Sequence, residues 1–327
     1  MQEYAFELAL CGALEPSRGV LARQLGAAVH GRRVADVVRV EPGPEFDRRR
    51  AITADTIPPL AIESDVGPGR ARPVTDAFDC RPDRARAIAE RAAGVGFFER
   101  ERRGSRTYVR QTTRYPDWIG SLVGIENKPD LDRPGELADQ LRTDVSLGLF
   151  DEVVLATASY VTGAHLNRLP EEVGVWRFDP ETGEREVVRE SARLDADGPG
   201  IELLDRDATA AQVRPVTAAA KARQRRRIAE RAYGKGWRPD AYPACARCDP
   251  AAATPADLAG AALPWCTWHE RPVRPATECG SDCPGFAASD PPEVDPGAVR
   301  AERSGWNADP EGLARRQVGL DRFGGRE

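Results

Sequence analysis

Glu126 and Lys128 stand two residues apart in the segment VGIENKPDL, which covers positions 123–131. Residues i and i+2 of a β-strand share a face, so these two side chains project together while Asn127 faces the other way. A carboxylate beside an ammonium group suits hydrolysis of a phosphodiester. The carboxylate can help to hold Mg²⁺ or Mn²⁺, and the lysine can orient or polarise the attacking water.

Lysine is rare in this chain, where arginine supplies all but three of the 47 basic residues. Lys128 therefore stands out, because a compact ammonium suits such a catalytic position better than a planar guanidinium does. The high arginine content and the acid-rich composition are typical of a salt-adapted archaeon with a GC-rich genome.

A second carboxylate is needed to hold the metal ion, and Asp36 is our candidate. The segment RRVADVVRVE at 32–41 alternates and is rich in β-branched residues, so it predicts a strand with Asp36 on an otherwise apolar face. Because 90 positions separate Asp36 from Glu126, other acids stay open as the partner. They are Glu63, Asp65 and Asp117.

The elements around these residues predict an α/β chain. An amphipathic helix is expected over 2–14, and a second short helix through Leu21 and Leu25. The strand at 121–128 is followed by a helix from about 134 to 149 and by the strand DEVVLATAS. This succession implies a right-handed parallel crossover. The segments GVWRFDP and REVVRE then predict a β-hairpin.

Between the two acidic strands, a helix over 82–93 and a basic hairpin over 96–112 are predicted. A helix followed by a basic hairpin resembles the recognition helix and wing of a winged-helix module. A plain helix-hairpin insert fits the same pattern equally well.

The segments GRRVADVVRV, VGIENK, LADQLRTDVSLGLFDEVVLATAS and LPEEVGVWRFD resemble the PD-(D/E)XK, or restriction-endonuclease-like, nuclease superfamily. Within it they look most like the small MmcB-type DNA-repair proteins. The whole chain also resembles an uncharacterised haloarchaeal family with no assigned activity. The resemblance implies a restriction-endonuclease-like αβββαβ core, metal binding by Asp36 and Glu126, and catalysis by Lys128. It further matches Gln140 to a helix glutamine near the site, and Glu7 to an accessory acid.

The expected domain organisation has four parts. The nuclease-like core is split between 1–79 and 116–190, and the helix-hairpin insert, winged-helix-like in outline, occupies 80–115. An acidic linker and a basic helix follow over 191–240. The C-terminal module, residues 241–327, is rich in cysteine.

Five of the seven cysteines fall in the C-terminal module. In a cytosolic chain such clustering points to metal before disulfide, and paired knuckles of this spacing can hold one tetrahedral ion. We expect structural Zn²⁺, with an iron-sulfur cluster as the alternative. The expected zinc ligands are Cys245, Cys248, Cys279 and Cys283, with Cys266 and His269 as alternatives.

The basic helix, expected over about 217–233, has two open interpretations. Its cations could track a phosphate backbone, or they could form a solvated helix face balanced by the acidic stretch upstream. They are Lys221, Arg223, Arg225, Arg226, Arg227 and Arg231.

No stretch of the sequence approaches the roughly 20 apolar residues that a membrane-spanning helix needs, and the N-terminus lacks the features of a secretory signal. A cytoplasmic protein without a membrane or a small-molecule cofactor is expected. Its predicted function is Mg²⁺-dependent DNA hydrolysis, as an endonuclease or exonuclease in repair or defence. The alternatives are a DNA-binding or regulatory protein that keeps the nuclease fold without cutting, and a zinc protein that binds another protein.

Overall fold

A computed structural model describes residues 2–15, 18–52, 57–132, 136–206, 210–239, 241–252, 258 and 260–310. The chain forms two compact units. One contains Met1–Pro44 and Ile119–Ala308, and the other contains Glu45–Trp118 and Asp309–Glu327.

The first unit begins with helix α1 (Glu3–Leu14) and strands β1 (Val20–Gly26) and β2 (Val34–Pro42). The second unit follows with α2 (Phe46–Arg50), α3 (Pro59–Ile62), β3 (Arg72–Pro73), α4 (Val74–Ala77), α5 (Pro82–Gly94), β4 (Phe98–Arg103) and β5 (Arg106–Gln111).

The chain then returns to the first unit. It continues through β6 (Ile119–Asn127), α6 (Leu137–Leu147), β7 (Glu152–Thr157), α7 (Gly163–Leu166), β8 (Gly174–Phe178) and β9 (Arg185–Arg189). The remaining elements are β10 (Gly200–Arg206), β11 (Ala211–Val216), α8 (Ala218–Lys235), β12 (Trp265–Cys266), β13 (Arg271–Pro272), α9 (Pro275–Glu278) and α10 (Pro296–Arg303).

A six-stranded sheet organises the first unit in the order β1-β2-β6-β7-β8-β9. The first three strands are antiparallel neighbours, β6, β7 and β8 run parallel, and β9 returns antiparallel. The predicted connection from β6 through α6 to β7 therefore joins parallel neighbours, as expected. The chain is a mixed α/β protein.

Helix α1 packs on the sheet in the main hydrophobic core. Phe6 contacts Phe178 edge to face with ring centroids 5.6 Å apart, and Val37 and Ile125 of the sheet belong to the same buried cluster. Leu263, from the cysteine-rich segment, belongs to it too. Helix α1 is therefore buried on nearly all sides, which agrees with its near-continuous apolar sequence.

The prediction of a short helix through Leu21 and Leu25 is wrong, because these residues form strand β1. Leu21 pairs with Arg39 and Leu25 with Ala35 of β2. Alanine, leucine, arginine and glutamine all favour helices locally. The hydrogen bonds to β2 and the burial of both leucines override that preference.

The second unit holds the predicted helix and hairpin, now α5 with β4 and β5, but it is larger than the expected 80–115. Ile52, Ile57 and Ile62 share a buried cluster with Phe97 and Val109. The Pro/Gly-rich stretch that precedes the helix thus belongs with the insert rather than with the sheet.

The C-terminal boundaries also differ from the expected ones. The acidic stretch expected as a linker forms the antiparallel pair of β10 and β11. This pair, α8 and the cysteine-rich segment up to Ala308 lie in the same compact unit as the sheet. Within the described ranges, no helix has the length and apolar character needed to cross a membrane.

Candidate functional site

Asp36 and Glu126 come from neighbouring strands of the sheet. Val37 of β2 pairs with Ile125 of β6, and Val38 pairs with Gly124. The same antiparallel register, continued by one residue, sets Asp36 opposite Glu126 on one face. The peptide N–H of Asn127 donates to Asp36 Oδ2 at 3.0 Å. Two carboxylates that are 90 positions apart in the sequence are therefore neighbours in the fold.

Arg33, just before β2, binds two carboxylates of the site. Its Nη2 lies 2.6 Å from Glu126 Oε2 and 2.7 Å from Asp144 Oδ2, and its Nε donates to Asp144 Oδ1 at 3.0 Å. All three side chains are almost completely buried. The guanidinium therefore compensates charge that would otherwise stand buried between β6 and α6. We call Asp36, Glu126, Asp144 and Arg33 the acidic cluster.

The loop that carries Arg33 is held by a buried acid of β10. The backbone N–H groups of Val29, His30 and Gly31 donate to the carboxylate of Glu202 at 2.9, 2.8 and 3.0 Å. Glu202 is 1% exposed, so its charge is satisfied mainly by these peptide donors. The β10–β11 pair thereby fixes the approach of Arg33 to the sheet.

Glu7 of α1 lies on the other side of Asp36, and Gln24 joins the two. Gln24 Nε2 donates to Glu7 Oε2 at 2.8 Å and to Asp36 Oδ1 at 3.2 Å. Asn127 Nδ2 also donates to Glu7, at 2.9 Å, and Arg23 pairs with the same carboxylate at 2.8 Å. Gln24 has φ +54°, which a residue with a side chain rarely adopts.

Burial changes the charge state of the acidic cluster. It raises the pKa of Asp36 to about 7, and the neighbouring Glu126 carboxylate adds to the rise. Burial also raises the pKa values of Glu126 and Asp144, while Arg33 opposes the rise in both. Near neutral pH the simultaneous ionisation of all three carboxyl groups is therefore opposed, because one guanidinium does not offset three buried carboxylates.

Lys128 lies just beyond the end of β6. Its peptide N–H donates to Ala156 O at 2.9 Å, which continues the pairing with β7. Its side chain is 28% exposed, and Nζ lies 3.9 Å from Glu3 Oε1. The ammonium is thus close to the C-terminal end of β6 and accessible to a ligand from solvent.

Gln140 is half-buried on α6, one turn before Asp144. The sequence shows that these two share a helix face, but it does not reveal that Asp144 binds Arg33. Glu63, Asp65 and Asp117, the alternative partners of Glu126, belong to the second unit.

The donors of the acidic cluster determine whether it can hold a metal ion. In the ranges that the structure describes, no group of three or more histidine, cysteine, aspartate or glutamate side chains is arranged so that it could hold a metal ion. Mg²⁺ is commonly bound by one or two carboxylates and several waters, so the pair of Asp36 and Glu126 fits its ligand chemistry. A metal ion would have to compete with protonation of the carboxyl pair and with the guanidinium of Arg33.

The cysteine-rich segment brings its two halves together. Antiparallel bridges join Cys248 to Cys266 and Cys245 to Ala288. Cys283 Sγ lies 3.7 Å from His269 Nε2. All seven cysteines are free thiols.

Two cations of the basic helix α8 bind to other elements within the protein. Lys221 is 1% exposed and donates to Asp195 O at 2.8 Å. Arg225 donates to Leu149 O at 2.6 Å and pairs with Asp151 at 2.8 Å. These two cations stabilise the fold, so they do not form a solvated basic face.

Comparison with known proteins identifies a family for this chain but no individual relative. A search of curated proteins and a search of solved structures each gave no match. A family model matches residues 20–288, from strand β1 to just beyond the last cysteine, Cys283. The chain therefore belongs to the family of unknown function DUF5787.

Proposed function

We propose that this protein is a metal-dependent nuclease that hydrolyses phosphodiester bonds of DNA. The observation that carries the proposal is the placement of Asp36 opposite Glu126 on adjacent strands, with Lys128 two residues further along. The order α1, β1, β2, β6, α6, β7 supports it, because this is the αβββαβ succession of the PD-(D/E)XK resemblance. Repair or defence is the corresponding cellular role.

In this proposal each group has a separate role. Asp36 and Glu126 would hold Mg²⁺ or Mn²⁺, which supplies charge neutralisation and lowers the pKa of water. Lys128 orients the attacking water and offsets charge on the phosphoryl oxygens. Glu7 would support Asp36 through Gln24, and Gln140, one turn before Asp144 on α6, would act from the helix side.

A second candidate function is favoured by Arg33. Its guanidinium already compensates Glu126 and Asp144, at 2.6 and 2.7 Å, where a metal ion would otherwise do so. In a DNA-binding or regulatory protein that kept the fold without cutting, this ion-pair network would be a permanent replacement for the metal.

Cleavage assays test the first function. Single-stranded, double-stranded and branched DNA are incubated with Mg²⁺ or Mn²⁺ at low and high salt. We expect Glu126→Gln and Lys128→Ala each to lower the cleavage rate by about 10² to 10⁴-fold, because each removes a group that acts on the reacting phosphate. The control is Glu186→Gln, since Glu186 is an exposed glutamate of β9 in the same sheet.

Two outcomes contradict the nuclease proposal. One is that no protein cuts any substrate, and the other is that all variants cut equally. Cutting by Glu186→Gln at the wild-type rate, together with unchanged thermal unfolding of the two site variants, assigns the loss to chemistry rather than to misfolding.

Arg33→Met separates the two candidate functions. The substitution leaves two buried carboxylates without their guanidinium partner. In metal-free buffer we therefore expect the free energy of unfolding to fall by roughly 3 to 5 kcal/mol, and the unfolding temperature to fall with it. If the cluster is a metal site, Mn²⁺ restores part of this loss and binds the variant more tightly than wild type. A loss that Mn²⁺ does not restore favours the non-catalytic function. Arg142→Met, an exposed arginine of α6, is the control.

A further inference from the structure

We propose that Lys235, at the end of α8, is a positioning residue of the acidic cluster. It holds β1 in the backbone conformation from which Gln24 orients Glu7 and Asp36. The roles proposed for the nuclease do not include this lysine. Its effect on cleavage rests on the proposed function, whereas its effect on the Gln24 amide does not.

The ammonium group of Lys235 contacts two consecutive carbonyl groups of β1. Its Nζ donates to Arg23 O at 2.8 Å and to Gln24 O at 2.9 Å. Consecutive carbonyl groups of a regular strand point to opposite sides, so one ammonium reaches both only where the strand is irregular. Gln24 supplies this irregularity, because its φ is +54°. The contact therefore belongs to the left-handed conformation of Gln24 and would be broken if β1 became regular there.

Strand β1 lies at the edge of the six-stranded sheet, beside β2. Its register on β2 sets Gln24 opposite Asp36. Backbone carbonyls on the outer side of an edge strand need donors from outside the sheet. Helix α8 supplies such donors through Lys235 and through Gln224, whose Nε2 donates to Gly26 O at 3.4 Å. The conformation of β1 beside the acidic cluster thus depends on α8.

The end of α8 is held on two sides. Arg300 of α10 donates through Nη2 to Ala232 O at 3.1 Å and to Tyr233 O at 2.8 Å, which caps the last turn of the helix. Directly after the helix, Trp237 O accepts from Arg23 Nε at 2.8 Å. These bonds join the helix end to α10 and to β1. The ammonium group therefore extends from a fixed point toward the strand.

Gln24 fixes the carboxylate of Asp36 together with a second donor. Gln24 Nε2 donates to Asp36 Oδ1 at 3.2 Å and to Glu7 Oε2 at 2.8 Å. A primary amide carries two N–H donors, so one side chain can serve both carboxylates. The peptide N–H of Asn127 donates to the other oxygen of Asp36, at 3.0 Å. If Gln24 turned away, Asp36 Oδ1 would lose this donor, and the orientation of Asp36 toward Glu126 would relax.

Nuclear magnetic resonance of the Gln24 side-chain amide tests the proposal without an assay of cleavage. The full-length protein is labelled with nitrogen-15 glutamine, and Gln24→Asn identifies the two Gln24 amide protons by the loss of their signals. In wild type we expect these protons to exchange with water about tenfold or more slowly than those of exposed Gln212, because carboxylates accept them. Lys235→Met should remove the difference, because β1 relaxes and releases the amide.

Three further variants make this test specific. Arg231→Met is the matched control, because it removes an exposed cation from the same helix, and it should leave the Gln24 exchange unchanged. Lys235→Arg keeps a cation with several N–H donors and should preserve slow exchange. Lys235→Ala repeats the test where Lys235→Met fails to fold, since alanine favours the helix.

Three results overturn the proposal. One is that a folded variant without the Lys235 ammonium keeps the wild-type exchange of the Gln24 amide. Another is that Arg231→Met accelerates this exchange as much as Lys235→Met does. The third is that the Gln24 amide of wild type already exchanges as fast as that of Gln212.

The cleavage assay measures the consequence for the proposed function. Lys235→Met should raise the Mg²⁺ concentration that gives half-maximal cleavage by about tenfold and change kcat less, because support of a metal ligand acts mainly on metal affinity. Arg142→Met should leave both values unchanged. A released Gln24 amide with an unchanged Mg²⁺ dependence would contradict the positioning role. A wild type that cuts no DNA contradicts the nuclease proposal instead, and the amide exchange then decides the role of Lys235.

Discussion

Asp36 is a carboxyl group with a pKa of about 7, raised by burial and by the neighbouring Glu126. In the unfolded chain its pKa returns to near 3.8. A carboxyl group whose pKa is raised by folding contributes stability that is complete below the unfolded pKa and is lost as the pH rises through the folded pKa. The metal-free fold therefore loses stability between about pH 4 and 7, because Asp36 ionises readily in the unfolded chain while folding opposes its ionisation.

The free energy of unfolding of Asp36→Asn, relative to that of wild type, should consequently increase as the pH rises. In metal-free buffer, we expect the variant to gain about 1 to 2 kcal/mol relative to wild type between about pH 5 and pH 8. This is less than the full shift implies, because the proton is shared with Glu126. Denaturant unfolding at both pH values measures the difference, with Asp139→Asn on the exposed face of α6 as control. A difference that does not change with pH would contradict the assignment.

At the residue scale, the period of a strand is enough to predict that Glu126 and Lys128 project together. Arg33 was missed because no local pattern marks it, and its partners Glu126 and Asp144 are 93 and 111 positions away. Only the pairing of β2 with β6 and the packing of α6 bring them together. The raised pKa of Asp36 likewise depends on burial that the sequence does not report.

Strand β6 depends on a glycine in its centre. A Cβ atom added at Gly124 would lie 2.6 Å from the ring of Phe150. Gly124→Ala should therefore lower the free energy of unfolding by about 1 to 3 kcal/mol through overpacking. Gly124→Ala with Phe150→Leu should lose less than the sum of the two single changes.

Gly234→Ala is the control for this test, since an added Cβ in α8 meets nothing within 4 Å. It should stabilise the protein by about 0.5 to 1 kcal/mol, because alanine favours a helix more than glycine does. Urea unfolding compares all four variants. If Gly124→Ala and Gly234→Ala changed the free energy of unfolding equally, the ring of Phe150 would move aside without loss of stability.

Among the elements, those with a clear period were predictable: β2, β6, α6 and β7 all lie where the pattern indicates. Strand β1 was not, because its leucines fit a helix and only its partner strand decides otherwise. Helix boundaries also differ, since α6 ends at Leu147 rather than near 149. Its expected start near 134 lies outside the described residues. Strands β10 and β11 were missed because an acidic stretch with turn residues reads as a loop.

At the scale of the whole molecule, the second unit is inserted in the chain between the paired strands β2 and β6. Pro42 pairs with Ile119, so the insert leaves and rejoins the sheet at neighbouring positions. Its own ends are joined as well. Asp117 N donates to Glu45 Oε2 at 2.6 Å, and Glu45 N donates to Asp117 O at 3.1 Å. Insertions are best tolerated where the ends are close together.

Replacing residues 45–118 by a short glycine-rich turn should therefore leave a chain that unfolds in one cooperative transition. Circular dichroism during thermal unfolding checks this result. Deletion of 200–216 is the contrasting control, because it removes Glu202 from the loop that carries Arg33. If the shortened chain fails to fold while the control folds, the sheet depends on the insert.

The extent of this insert was only partly predictable. The helix and hairpin are visible in the sequence, but the preceding stretch reads as a loop because proline and glycine dominate it. Its isoleucines are buried against Phe97 and Val109 of the same unit. Such packing between distant, irregular segments has no period, so composition alone places the boundary too late.

Gln24 has a further consequence for how stability and function balance in this protein. Its left-handed backbone is one that glycine adopts without penalty, and strain of this kind is worth about 1 to 3 kcal/mol. A glycine there would relax the strand but would lose the amide that joins Glu7 to Asp36. Selection for stability alone would favour glycine. The glutamine of this chain therefore makes the strand less stable while it orients two carboxylates.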